Sequence, residues 1–178
     1  MISGTSSSGS TATGGAPKVT ALIDWWPTET TQRIVVATAD GKLFKDSGDD
    51  FGTSLKTGLG TNKVSVLVAA GAEASGNNRK LFHFNGNDVV QVLSADGVAT
   101  TDLTTPPTDW SGGNQPRSGT IHKNRLWGWG NANDPHRVYY SLAADHEDFT
   151  TSDAGSISVY PGEGQYIIAG ISFRGYIL

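Results

Sequence analysis

The chain has 178 residues, no cysteine, 23 glycines and a formal net charge of −4. This length is enough for one domain with a sizeable core, and the lack of cysteine excludes disulfides and thiolate metal sites. The acidic balance argues against sequence-specific nucleic-acid binding, which needs clustered Lys and Arg. No run approaches the ~18 apolar residues that cross a bilayer. We therefore expect partners other than nucleic acid or membrane.

The first 17 residues are rich in Ser, Gly and Thr. Such a tract has little to bury and behaves as a flexible coil. We predict a flexible arm over residues 1–17, which serves either as a linker or as an arm that threads into a groove on a neighbouring subunit. The remainder, residues 18–178, is predicted to be one all-β domain, because turn residues separate many short apolar runs.

The ordered part opens with a predicted strand over Val19–Trp26, which Pro27 ends. A second strand is predicted over Arg33–Thr38 and a return strand over Lys42–Lys45, with Asp40-Gly41 as the tight turn between them. This is the pattern of a β-hairpin.

The same pattern recurs twice. The second unit has predicted strands at Val64–Ala69, Lys80–Phe84 and Val89–Leu93, and the third has strands at Arg125–Trp129 and Arg137–Ser141. In each unit the return strand begins with a cation, an aliphatic residue and an aromatic residue. The sequence therefore predicts about three antiparallel hairpin units.

Two architectures fit these repeated hairpins. Units of roughly 40 to 45 residues of antiparallel strand are typical of propeller blades. Three units do not close a ring, so on this interpretation the chain is part of a longer propeller or shares blades with other chains. A β-sandwich fits the same pattern with no missing piece.

The last predicted strand covers Ile167–Leu178. This segment is rich in β-branched and aromatic residues, and we expect one strongly apolar face along it. A hydrophobic strand left alone would pair indiscriminately. We therefore expect this strand to pair with an earlier strand, with a continuation of the chain or with a neighbouring subunit.

Catalytic chemistry finds little support in the sequence. A hydrolytic base would have to be one of the four histidines, and none lies in a recognisable motif. His83 alternates with Phe82 and Phe84, so we predict that it faces solvent. We expect no catalytic residues, no cofactor and no enzyme activity.

Two acidic loops could supply oxygen ligands of the kind that calcium prefers. The loops contain Asp46, Asp49 and Asp50, and Asp145, Glu147 and Asp148. Neither has EF-hand spacing. The alternative is that the carboxylates accept hydrogen bonds from nearby backbone amides in Asx-type turns, and we expect no metal site.

Aromatic residues are stronger candidates for a functional site than the histidines or the acidic loops. Trp127 and Trp129 lie two positions apart and share one face of a strand, whereas Trp25 and Trp26 lie on opposite faces. Such residues pack in a core, bind a partner or stack on sugar rings. The candidate interface residues are Trp127, Trp129, Tyr139, Phe173, Tyr176 and Leu178.

The last third of the chain resembles structural proteins of tailed-bacteriophage tails and head-to-tail connections. In those sequences a strand of the type NRLfvag is followed by NPxRVYYS, an acidic DPEDF turn and GdxItGlxxFRGxLxVF. The matching segments here are Asn124–Trp127, Asp134–Ser141, Asp145–Phe149 and Gly162–Ile177.

The resemblance implies a β-propeller-like module in a virion protein such as a tail nozzle or stopper, which extends the portal ring and helps to retain packaged DNA. Its partners would be other virion structural proteins and copies of itself in a homo-oligomeric ring. The resemblance implies no catalytic residues. The alternative function is a glycan- or receptor-binding β module that uses exposed aromatic side chains.

Overall fold

The structure is a computed structural model that describes residues 17–46, 51, 54–61, 65–72, 79–94, 99–159 and 166–178. All regular elements in these ranges are β-strands, and the sheets are antiparallel, so the predicted all-β class is confirmed. No helix in these ranges is long and apolar enough to cross a membrane. The predicted arm lies outside the described residues, apart from Pro17.

In the described ranges, fourteen strands form three four-stranded sheets and one hairpin. The first sheet contains β1 Val19–Trp25, β2 Arg33–Thr38, β3 Lys42–Lys45 and β4 Ser54–Lys56. The second contains β5 Val66–Ala72, β6 Arg79–Phe84, β7 Gln91–Leu93 and β8 Thr101–Asp102. The third contains β9 Ser118–His122, β10 Arg125–Trp129, β11 Arg137–Tyr140 and β12 Gly155–Ser158. The last hairpin contains β13 Ser172–Phe173 and β14 Tyr176–Ile177.

Within each sheet the strand order follows the chain order, so each sheet is a four-stranded antiparallel meander. The first strands of successive sheets lie side by side: β1 is next to β5, β5 is next to β9, and β9 is next to β13. Four-stranded meanders arranged in succession are the building units of propellers. Closure into a ring stays a prediction.

The sequence located the inner strands of each sheet well. The bounds of β2, β3 and β10 agree with the predicted ones, and β1, β6 and β11 differ by one residue at one end. Four strands were not predicted from the sequence, namely β4, β8, β9 and β12. These strands are short or contain mainly Ser, Gly and Thr, so they lack the apolar alternation by which a strand is recognised.

The turn between β2 and β3 differs from the predicted one. Thr38 pairs with Lys42, so the loop has the three residues Ala39, Asp40 and Gly41, and only Gly41 has a positive φ, of 74°. A two-residue type I′ turn would need positive φ at both central residues. The predicted hairpin is therefore correct, but its turn is a longer loop that ends in a left-handed glycine.

Gly41 also approaches the backbone of a following loop. A Cβ built on Gly41 would lie 1.9 Å from the carbonyl oxygen of Leu59, whereas one built on Gly58, whose φ of 76° is almost the same, would meet nothing within 4 Å. We expect Gly58→Ala to cost about 1 kcal/mol of unfolding free energy from strain alone. Gly41→Ala should cost clearly more, because backbone must move. Equal losses in urea denaturation would contradict this account.

The second sheet is buried on both faces, because it lies between the other two. One face contributes Leu67, Ala69, Leu81 and Leu93 to a cluster with Trp25, Val35, Ala37 and Leu43 of the first sheet. The other face contributes Val68, Phe82, Phe84 and Val92 to a cluster with Leu126 and Tyr139 of the third sheet. Three stacked sheets differ from the two layers of a β-sandwich. In the second and third sheets, we call the face toward the preceding sheet the back face and the opposite one the front face. In the first sheet, the front face is the one that packs against the second sheet, and the back face is the opposite one.

The predicted continuous strand over Ile167–Leu178 is wrong. Residues 166–171 are irregular, and the chain then folds back on itself through Arg174 and Gly175, which both have positive φ. Phe173 pairs with Tyr176 across this two-residue turn. Arg-Gly supplies the left-handed conformation that such a turn needs, and this local signal overrides the β propensity of the flanking residues.

Candidate interaction surface

The last hairpin and the segment before it form the most exposed apolar surface of the described chain. Ile168 is 88% exposed and Tyr176 is 71% exposed. Four further large apolar side chains of this segment are also exposed, namely Tyr166, Ile171, Phe173 and Leu178. Within the described residues β14 has a neighbouring strand on one side only. This surface therefore combines apolar side chains with unpaired backbone groups.

Three contacts hold this segment against the third sheet. The Ile167 amide donates to the Pro135 carbonyl at 2.9 Å, and Nδ1 of His122 lies at hydrogen-bond distance, 2.9 Å, from Oγ of Ser172. Gly170 lies directly over the indole of Trp129, where an added Cβ would be 3.1 Å from the ring. The segment is thus held on the third sheet by one side, while the apolar side chains on its other side face solvent.

The candidate interface residues fall into two groups. Trp129 and Tyr139 are buried in the chain, so they are not available at its surface, and Trp127 is half-buried. Phe173, Tyr176 and Leu178 are exposed and lie together in the last hairpin or directly after it. The hairpin therefore brings three of the six predicted residues to one surface.

The tryptophan side chains lie on the strand faces that alternation predicts. Trp127 and Trp129 both lie on the front face of the third sheet, opposite Tyr140 and Val138 respectively. The rings of Trp127 and Tyr140 are 4.9 Å apart, and the Trp127 indole donates to the His122 carbonyl at 3.1 Å. Of the other pair, Trp25 is buried and Trp26 is exposed.

The back face of the first sheet is a second apolar surface. Leu22, Val36 and Phe44 are cross-strand partners and form one row across β1, β2 and β3. Leu22 is 63% exposed and Ile34 beside it is exposed as well, whereas Val36 is buried and Phe44 is half-buried. No sheet of the described chain covers this row, whereas the equivalent face of the second sheet is buried. This surface was not predicted from the sequence, because alternation along a strand does not show which face another sheet will cover.

His83 is buried, so the prediction that it faces solvent is wrong. It does point away from Phe82 and Phe84, as alternation requires, but that face packs against the first sheet, and His83 is only 3% exposed. Burial lowers its pKa to about 4, although the nearby Asp88 carboxylate acts in the opposite direction. His83 is therefore a neutral core residue near neutral pH.

The contact of His122 with Ser172 is the arrangement closest to catalytic chemistry. A hydroxyl and an imidazole at this distance could in principle form a nucleophile and its base. Such a pair also needs a third group that orients the histidine. Among the described residues no carboxylate contacts His122, so the geometry supports a link between the third sheet and the hairpin.

The acidic loop over residues 145–148 forms hydrogen-bonded turns. Oδ1 of Asp148 accepts from the amides of Thr150 and Thr151 at 2.8 and 3.1 Å, and these bonds lower the pKa of its carboxyl. Glu147 forms an ion pair of 2.7 Å with Lys80 on the second sheet. The Asx-type alternative is confirmed for this loop. Asp49 and Asp50 lie outside the described residues.

Tyr139 belongs to a polar network at the edge of the core. Its hydroxyl donates to Oδ2 of Asp109 at 2.9 Å, and Arg137 contacts the same oxygen at 3.0 Å. Burial raises the pKa of Tyr139, and the bond to Asp109 adds to this increase. Trp110 packs edge-on against its ring at 5.5 Å. This network fixes the position of β11 against the loop that precedes the third sheet.

A cavity of about 700 Å³ lies between the third sheet and residues 166–168. Its lining includes Arg117, Trp129, Asn131 and Tyr166. Nε1 of Trp129 and Oδ1 of Asn131 are buried and have no hydrogen-bond partner within the described part of the chain. The cavity therefore combines an apolar wall with a cation and an exposed phenol at its border.

Comparison with protein-family models, with curated proteins and with solved structures gave no match for this chain.

Proposed function

We propose that this protein is a structural subunit that acts by assembly, as a component of a tailed-phage virion of the tail nozzle, stopper or head-to-tail connection type. The observation that carries the assembly role is the exposed apolar segment of residues 166–178, whose strand β14 has a neighbouring strand on one side only among the described residues. The assignment to a virion rests on the resemblance of residues 124–177 to such proteins.

The surface chemistry supports assembly. Monomeric proteins rarely expose contiguous apolar patches, and extended patches mark sites of interaction. Open strand edges are normally protected by charges, proline or a covering element, because they pair with other chains. In this hairpin Arg174 is the one charged residue, and its guanidinium lies over the Phe173 ring at 5.3 Å. The hairpin is therefore poorly protected against pairing and well suited to it.

The burial of two histidines and the partners of the loop carboxylates are also consistent with a structural role. Two histidines, His83 and His146, are fully enclosed, and the carboxylates of the 145–148 loop are occupied by backbone amides or by Lys80. No group of three or more potential metal ligands occurs in the described ranges. We accordingly propose a protein without catalytic activity, whose chemistry is packing and strand pairing.

We expect the purified chain to have a mass in light scattering above that of the monomer. Tyr176→Asp should shift it to the monomer, because the charge would have to be buried in the apolar contact. Ser152→Asp, which adds the same charge at an exposed turn of the third sheet, should leave the assembly unchanged. A monomeric wild-type chain at all concentrations, or an assembly indifferent to Tyr176→Asp, would contradict the proposed role of this surface.

The cavity favours a second candidate function, namely binding of a glycan. Arg117 and Tyr166 at its border can contact hydroxyl groups and a sugar ring, and aromatic rings are common platforms for such ligands. A glycan array would test this proposal. Trp26, an exposed aromatic residue directly after β1, serves as the control. Binding that is lost in Tyr166→Ala and retained in Trp26→Ala would support the proposal, whereas an array without signal would refute it.

A further inference from the structure

Each of the two contacts between the sheets joins one front face to one back face. The front of the first sheet covers the row of Ala69, Leu81 and Leu93 on the back of the second sheet. In the same way, the row of Val68, Phe82 and Val92 on the front of the second sheet is buried beneath the third sheet. The chain thus uses one mode of contact twice.

Among the residues that the structure describes, this repetition leaves one surface of each kind without a covering sheet. At one end of the stack no sheet of the described chain covers the back face of the first sheet, where Leu22 and Ile34 are exposed, Phe44 is half-buried and Val36 is buried. At the other end the front of the third sheet is only partly covered, and the segment lying on it exposes Ile168, Ile171, Phe173 and Tyr176. The back of the first sheet, with exposed Leu22 and Ile34, and the exposed hairpin at the other end correspond to the two sides of the contact that each pair of neighbouring sheets makes within the chain.

We propose that the back face of the first sheet binds the last hairpin of a second copy of this chain, so that copies associate head to tail. This inference rests on the proposed assembly function and names its partner and its two surfaces. The contact is heterologous, since different surfaces of the two copies meet, and such contacts generate closed rings or open filaments.

The charges at the two surfaces agree with this pairing. Asp24 lies on the back face of the first sheet beside Leu22 and is exposed to solvent. The last hairpin carries Arg174 beside Phe173. A head-to-tail contact brings the charges of Asp24 and Arg174 to one interface, whereas a contact between two hairpins would bring two Arg174 side chains together, which opposes association.

The absence of cysteine permits a direct test by crosslinking. Leu22→Cys places one thiol on the back face, and Phe173→Cys places one thiol on the hairpin; both positions are exposed, so the fold should tolerate either change. The two variants are mixed, allowed to assemble and treated with a short bismaleimide. We expect a band at twice the chain mass in the mixture and only background in either variant alone. Ser152→Cys mixed with either variant is the matched control.

The outcomes separate the inference from the function on which it rests. Crosslinking in Leu22→Cys alone or in Phe173→Cys alone would show a contact between like surfaces and would overturn the head-to-tail inference, with assembly itself intact. An assembly in light scattering without any crosslink in the mixture would do the same. A chain that stays monomeric would overturn both the inference and the proposed assembly function.

Discussion

Phe84→Ala should lower the free energy of unfolding by about 3–5 kcal/mol, the range for truncation of a buried aromatic side chain. Phe84 is fully buried on the front face of the second sheet. Its ring reaches the third sheet so closely that a Cβ on Gly119 would lie 2.6 Å from its Cζ, and one on Gly128 would lie 3.5 Å from its Cε1. The third sheet has glycine at both positions, so its backbone comes close to the ring and cannot fill the space that alanine would leave.

Urea denaturation of the wild type and the variant measures this loss, and Phe173→Ala is the matched control. Phe173 is 51% exposed, so the same substitution there should change the unfolding free energy by about 0.5 kcal/mol or less when the chain is dilute. Similar losses for the two variants would show that the second and third sheets do not pack as described.

The stability of the protein should fall by about 3 kcal/mol between pH 6.5 and pH 4 through His83 alone, because each unit of pKa shift corresponds to about 1.4 kcal/mol. In the unfolded chain His83 has its ordinary pKa of 6.5, and burial in the fold lowers this pKa to about 4. Between these values the unfolded state binds a proton that the folded state does not bind. Lower pH therefore favours unfolding, and the loss is complete below pH 4.

Replacement of His83 by glutamine removes this titration. We expect the unfolding free energy of His83→Gln to depend less steeply on pH between 6.5 and 4 than that of the wild type, whatever its value at neutral pH. Carboxyl groups that titrate in the same range are common to both proteins and cancel in the comparison. Parallel pH profiles would contradict the burial of a neutral His83.

The sequence predicted those parts of the fold that local patterns determine. Apolar alternation located β2, β3 and β10 to the residue, and it placed Trp127 and Trp129 on a common face. It also assigned His83 to the face opposite Phe82. These results need only the two-residue period of a strand.

What the sequence did not predict depends on contacts between sheets. His83 was expected in solvent because a sheet with one polar face is the usual case, but the second sheet lies between two others and both of its faces are buried. Strand β9 was missed because its Gly119 replaces an apolar residue where Phe84 approaches. Neither effect is visible in the residues of one strand.

The candidate surface was predicted only in part. Phe173, Tyr176 and Leu178 were identified by their apolar character and lie on the exposed segment, whereas Trp129 and Tyr139 have the same character and are buried. Composition does not distinguish a core aromatic residue from an exposed one. The turn at Arg174-Gly175 creates the exposed surface, because it reverses the chain and leaves β14 with one neighbouring strand among the described residues.

Hydrogen exchange at the backbone amides of residues 166–178, measured at a low and a high protein concentration, tests assembly through this surface most directly. Paired amides exchange slowly and free ones exchange fast. We predict that exchange in β14 slows markedly at the high concentration, together with protection of the first sheet, while the amides of the second sheet, buried at both concentrations, do not change. Fast exchange across β14 at both concentrations would contradict the account.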